Sequence, residues 1–192
     1  MDRATLFTLV LAETHRDDLA GDLPDMLLLT EAKIARELRC QEMTTSVALP
    51  MTSGQCALPD DFLGLRAVYD STGPLQQVGL MEYRTCASNQ RVFAIANRRL
   101  MTRLDTVDMD YFQRPAALSA DASTNDILEA HPDVYVSLLS FYVFRRTQDL
   151  ELAQTAAGAY DDAVSTLNEL ADRQRGAARL GKPYSFGNAS AY

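Results

Sequence analysis

Asp105, Asp108 and Asp110 form the one acidic cluster whose spacing invites a metal. Hard carboxylate oxygens could hold a divalent cation there, and a bound cation could support hydrolysis. That makes a small metal-dependent enzyme the catalytic reading open to the chain. No glycine-bearing calcium loop surrounds the three, and a solvated strand or loop accounts for them better. The two histidines, His15 and His131, offer less. His15 sits among charges near a helix end, and His131 directly precedes a proline. Neither has a nucleophile near it in sequence, so both read as structural or solvent-exposed rather than as bases. The dinucleotide fingerprint, the phosphate loop, the nucleophile elbow and the zinc-protease helix are all missing from the text. Cys40, Cys56 and Cys86 are odd in number and lack a paired spacing, which predicts reduced thiols, a cytosolic setting and no zinc site. No cofactor is expected.

Arg91, Arg98, Arg99 and Arg103 concentrate positive charge in a chain whose formal net charge is −8. They suit contact with a phosphate backbone or an acidic partner surface, or simply solvated arginine on a sheet. The overall acidity argues against non-specific capture of DNA or of an anionic membrane, though DNA could still pass without being held. The first residues show no basic segment followed by a long apolar core, so no signal peptide is expected.

These residues must be positioned by a core. The 192 residues are 47% hydrophobic and 23% charged, enough for one domain with a real interior. The organising stretch runs from Val134 to Phe144, interrupted only by Ser137 and Ser140. It is apolar nearly all round and too short to cross a bilayer, which predicts a buried helix. Pro132 and Asp133 suit its first turn, Arg145 and Arg146 its last.

Other helices must cover this rod. Arg3 to Thr14 is predicted helical with Asp2 as cap. Leu23 to Arg39 carries an apolar stripe of Leu23, Leu27, Ile34 and Leu38, with Asp22 as candidate cap. Leu28 and Leu29 lie off that stripe and either join a thick core or face a neighbouring subunit. Leu150 to Leu180 reads as a long helix with a seam of Ala153, Ala156, Tyr160, Ala163, Leu167 and Leu170. Gly158 inside it suggests a tight contact.

Between the helices the texture turns to strands. Short runs at 44–49 and 55–58 flank a hairpin loop at 50–54, and 63–69 returns through a turn into 75–78. One or two helical turns at 80–87 and strands at 92–96, 99–104 and 109–113 follow. The fold class expected is mainly α with an inserted small antiparallel β region (α+β). The bundle is built around the helix near 132–146 and the long helix near 149–178. Residues 1–180 form a single domain with the β region at about 42–113, and 181–192 an extended arm. That arm has no periodicity but carries Tyr184, Phe186 and Tyr192, which suits either a frayed end or an aromatic anchor.

The order of elements, with Glu31-Ala32-Lys33-Ile34-Ala35-Arg36-Glu37-Leu38-Arg39, the Leu58-Pro59-Asp60-Asp61-Phe62-Leu63 turn and Asp108-Met109-Asp110-Tyr111-Phe112, resembles the head-to-tail adaptor proteins of tailed bacteriophages. The resemblance spans nearly the whole chain. It implies a non-enzymatic homo-oligomeric ring, commonly of twelve copies, in the neck of a virion assembled in the host cytoplasm. The ring would bind the portal above and tail, tail-tube or nozzle proteins below, with DNA passing through. It also implies a portal-docking arm, which would comprise Lys182, Pro183, Tyr184, Phe186 and Tyr192. No membrane contact is implied. A helical module that binds a host protein is the remaining alternative.

Overall fold

A computed structural model describes residues 1–87 and 90–180, with side chains through residue 173. Among these residues there are six α-helices and eight strands. In chain order they are α1 (Arg3–Thr14), α2 (Leu23–Glu37), β1 (Thr44–Pro50), β2 (Gln55–Ala57), β3 (Phe62–Asp70), β4 (Gly73–Pro74), β5 (Gln76–Gln77), α3 (Leu80–Thr85), β6 (Val92–Ala96), β7 (Arg99–Thr102), β8 (Thr106–Gln113), α4 (Asp126–Ala130), α5 (Pro132–Arg146) and α6 (Leu150–Leu180). The α+β class and the inserted position of the strands hold. No helix among the described residues is long and apolar enough to cross a membrane.

The apolar stretch becomes α5, and α1, α2, α4 and α6 all pack against it. Val134, Tyr135, Leu138, Leu139 and Val143 have no exposed surface. The predicted stripe of α2 is buried with them, as are Leu6 and Val10 of α1. Local signals set the helix ends. The Asp2 carboxylate accepts the Thr5 N–H at 2.8 Å, and Pro132 occupies the first turn of α5. Asp22 precedes α2 but makes no capping bond, since its backbone is already helical (φ −89°, ψ −16°) rather than extended, and its carboxylate lies 3.6 Å from Arg146 Nε at the end of α5.

Antiparallel α6 follows a short turn through Gln148, whose φ of 62° reverses the chain. Its seam differs from expectation at two points. Leu170 is 51% exposed and Ala171 is buried instead. A side chain added at Gly158 would meet nothing within 4 Å, so among the described residues no tight contact explains that glycine. Asn168 fixes the far end of α6 to the exit of α2. Its Oδ1 accepts the Arg39 N–H at 2.7 Å and its Nδ2 donates to the Glu37 carbonyl at 2.9 Å.

The strands form two sheets rather than one. Their orders are β1-β8-β3-β4 and β2-β7-β6-β5, antiparallel throughout except for the parallel β5–β6 pair. The expected hairpin at 44–58 is therefore only a tight turn. Ser53 and Gly54 both take positive φ, yet β1 pairs with β8 and β2 with β7. The expected return strand at 75–78 is likewise divided, since β4 closes on β3 and β5 joins β6. The two sheets share a core of their own, including Val68, Phe93, Leu100, Val107 and Met109. Strand β8 joins this core to the helical one. Val107, Met109 and Tyr111 face the strands, and Phe112, on the opposite face of the pleat, enters the bundle.

Candidate functional site

The acidic cluster does not assemble a metal site. Among the described residues no group of three histidine, cysteine, aspartate or glutamate side chains converges to hold an ion. Asp110 instead accepts hydrogen bonds from Ser46 Oγ and, at 3.0 Å, from the Tyr69 hydroxyl, across the strands beside β8. His15 caps the end of α1 in the left-handed region, φ 53°. His131 joins α4 to α5, with its Nε2 3.3 Å from a Glu42 carboxylate oxygen. Burial pushes the Cys40 thiol up to about 12, which keeps it an unreactive thiol at neutral pH.

The four arginines separate into two pairs. Arg91 and Arg103 lie at one end of the β6–β7 hairpin, Arg98 and Arg99 at the other. Each is engaged within the strand region. Arg91 pairs with Asp70 and donates to the Gly73 carbonyl at 2.7 Å. Arg98 occupies the tight turn with Asn97, both at positive φ, and donates to the Pro59 carbonyl at 3.2 Å. Arg99 donates to Gln55 Oε1 at 3.2 Å. Arg103 donates to the Tyr83 carbonyl at 3.2 Å and lies 5.5 Å from the centre of that ring. The fold does not bring the four together as one basic patch.

The bundle surface is organised differently. Leu28 and Leu29 are 64% and 55% exposed, so the core alternative for them fails. Leu28 borders a groove of about 470 Å³ between α2 and the segment 114–117, whose buried lining is Ile34, Ala35 and Tyr135. Arg36 and Arg114 stand at its margin. Leu29, one position on, borders a second depression with Tyr142 and Arg145.

The groove wall is held firmly. The Glu31 carboxylate accepts the Leu118 N–H at 2.6 Å, and partial burial raises its pKa above the ordinary carboxylate value. Asn125 is the hub of the wall. Its Oδ1 caps α4 by accepting the Leu128 N–H at 2.8 Å. Its Nδ2 donates to the Ala116 carbonyl at 2.8 Å and to the Tyr135 hydroxyl at 2.9 Å. The Arg114 N–H donates to the Asp61 carbonyl at 2.7 Å. A wall pinned at Asp61, Glu31 and Asn125 is a preformed surface, which lowers the entropy cost of docking against it. Sequence reasoning missed this wall because 114–125 carries no periodic signal. Asn125 just before an apolar run was its one legible mark, as a helix cap.

Lys182, Pro183, Tyr184, Phe186 and Tyr192, the expected docking arm, lie outside the described residues. What the geometry offers on the helices is exposed apolar side chains beside charged ones. The model of the SU10 adaptor protein family matches residues 1–183. No curated protein matches the chain.

Proposed function

Because the chain belongs to the SU10 adaptor protein family, whose members are phage head-to-tail adaptors, we propose that it forms a closed ring of identical copies in the virion neck. In this reading the ring, of twelve copies in the common form, seats under the portal of the DNA-filled head. Its opposite face receives tail, tail-tube or nozzle proteins. DNA leaves through the channel without being held, and a net charge of −8 favours sliding over capture. Lys182, Pro183, Tyr184, Phe186 and Tyr192 serve as the arm that reaches the portal. The role is mechanical and needs no catalytic group.

The observation that carries the reading is the extent of the family match, 1–183, which takes in the bundle and the inserted strands together. The solvent-facing Leu28 and Leu29 support it, since exposed leucines beside a preformed groove suit contact with another protein. Electron cryomicroscopy of the purified particle is the test. The expected result is a ring of this chain between portal and tail. A mature particle that lacks the polypeptide overturns the proposal, and so does one that joins heads to tails normally after its gene is deleted.

A further inference from the structure

Two faces of the bundle bear large apolar side chains that the rest of the described chain leaves uncovered, and their flanking charges are opposite. The first is the α2 groove, with Leu28 at its edge and Arg36 and Arg114 at its margin. Its one carboxylate, Glu31, is committed to the Leu118 N–H. The second is the outward side of α6. Leu152 and Leu170, 45% and 51% exposed, stand in line along the helix about five turns apart. Ala159 and Thr166 lie exposed on the line between them, with Asp162 and Glu169 along one flank and Arg173 beside them, 3.2 Å from the Glu169 carboxylate.

These faces cannot satisfy each other within one chain. Lys33 of α2 lies 4.3 Å from the centre of the Tyr160 ring of α6, so the side of α2 next to α6 is already occupied. The groove opens on the other side of α2, and the α6 line lies about 100° round the helix from the buried Ala153, Tyr160 and Val164. We propose that the outward line of α6 in one copy packs into the α2 groove of the next copy. Leu170 and Leu152 supply the apolar contact. Ala159, on the line between them, lets the two backbones approach closely. Asp162, and Glu169 on exchanging its exposed pair with Arg173, meet Arg36 and Arg114, and this complementarity fixes which copy's face accepts which. The contact is heterologous, with each copy contributing one face of each kind, so its repetition generates a ring when the rotation closes. The inference rests on the connector reading for its setting and adds to it the pair of surfaces that join neighbours.

The test is sedimentation velocity of the full chain up to ~1 mM. The wild-type chain should associate with rising concentration. Leu28→Asp and Leu170→Asp should each remain monomeric, with unchanged far-ultraviolet circular dichroism because both positions are exposed. An equal mixture of the two variants should form one-to-one dimers and nothing larger, since each retains one intact face. Arg36→Glu should weaken association of the wild-type partner face, and a partner carrying Asp162→Arg should restore it. A wild-type chain that stays monomeric, a single variant that associates normally, or a mixture that fails to pair overturns the inference. Association that appears only after residues 181–192 are deleted also overturns it, because the groove would then hold the chain's own end. If particles contain a ring of this chain whose neighbours cross-link through other faces, this inference falls and the connector reading stands. If the copies pair as described but the particle lacks the chain, the connector reading falls and the interface stands.

Discussion

The helical bundle and the strand region each enclose a core, yet the exposed leucines gather on the bundle, while among the described residues the strand region's one large exposed apolar side chain is Met81. The strand region uses its charges internally. Arg91, Arg98, Arg99 and Arg103 all bond to groups of the same region, and Asp110 is held by Ser46 and Tyr69. The bundle leaves Leu28, Leu29, Leu152 and Leu170 in solvent beside ionic groups. The difference teaches where a partner can bind with gain. Arginines already bonded in the monomer contribute little new on docking, whereas exposed leucines at a pinned groove lose water for each contact made.

The largest effect expected in this comparison is at the centre of the bundle. Leu138→Asp would bury an unpaired carboxylate among α1, α2 and α6 and should cost more than ~4 kcal/mol, abolishing the folded state. Circular dichroism and urea titration check it. If strand signal survives in that variant as a separate cooperative transition, the two cores fold independently and the linkage through β8 is weak. Next comes Met109→Ala in the strand core, where truncating a side chain with no exposed surface should cost about 2–5 kcal/mol. A single shared transition in urea, shifted to a lower midpoint, is the expected result.

Asn125→Ala sharpens the comparison at the groove wall. It removes a helix cap and two further bonds, and a loss of about 2 kcal/mol is expected. Hydrogen exchange should show faster exchange at the Leu128 N–H while strand amides stay protected. Gly158→Ala should stabilise the chain by ~1 kcal/mol in thermal melts, because the helix gains propensity and the added methyl meets open space. The pH dependence probes the strand region last. The Asp70 carboxylate accepts bonds from the Thr72 hydroxyl and from the N–H groups of Thr72 and Gly73, beside Arg91, and its pKa is held below 3.8. A depressed folded value means that its stabilisation is complete above 3.8 and is lost as pH falls through the lower folded value. Melting temperatures of wild type and Asp70→Asn should therefore converge as pH drops from ~5 toward ~2, with wild type higher at the upper end.

Much of the bundle was legible from local pattern. The Val134 to Phe144 run, Pro132, and the Leu23-Leu27-Ile34-Leu38 stripe each carry their information within a few turns, and each folds as read. The strand region was legible only as texture. Short runs such as Gln55–Ala57 and Gln76–Gln77 are compatible with many partners, and nothing in their own letters assigns β2 to β7 or β5 to β6. Leu28 and Leu29 show the same limit at the candidate site. Sequence left them between core and partner surface, and their exposure removed the first alternative.

By itself, the chain's order of residues determined the helices, the buried rod and the location of the β insertion, because helix formation depends on neighbours three and four positions apart. The resemblance it carries to phage adaptors was equally a property of that order, and the family match over 1–183 agrees with it. Only the tertiary structure decided that the strands divide into two sheets, that the four exposed arginines are tied by surface bonds within the strand region, and that segment 114–117 stands opposite Leu28 to make a groove. Those outcomes depend on contacts between residues many tens of positions apart. Such contacts form only when closing the loop between them is outweighed by the burial and hydrogen bonding of the whole fold.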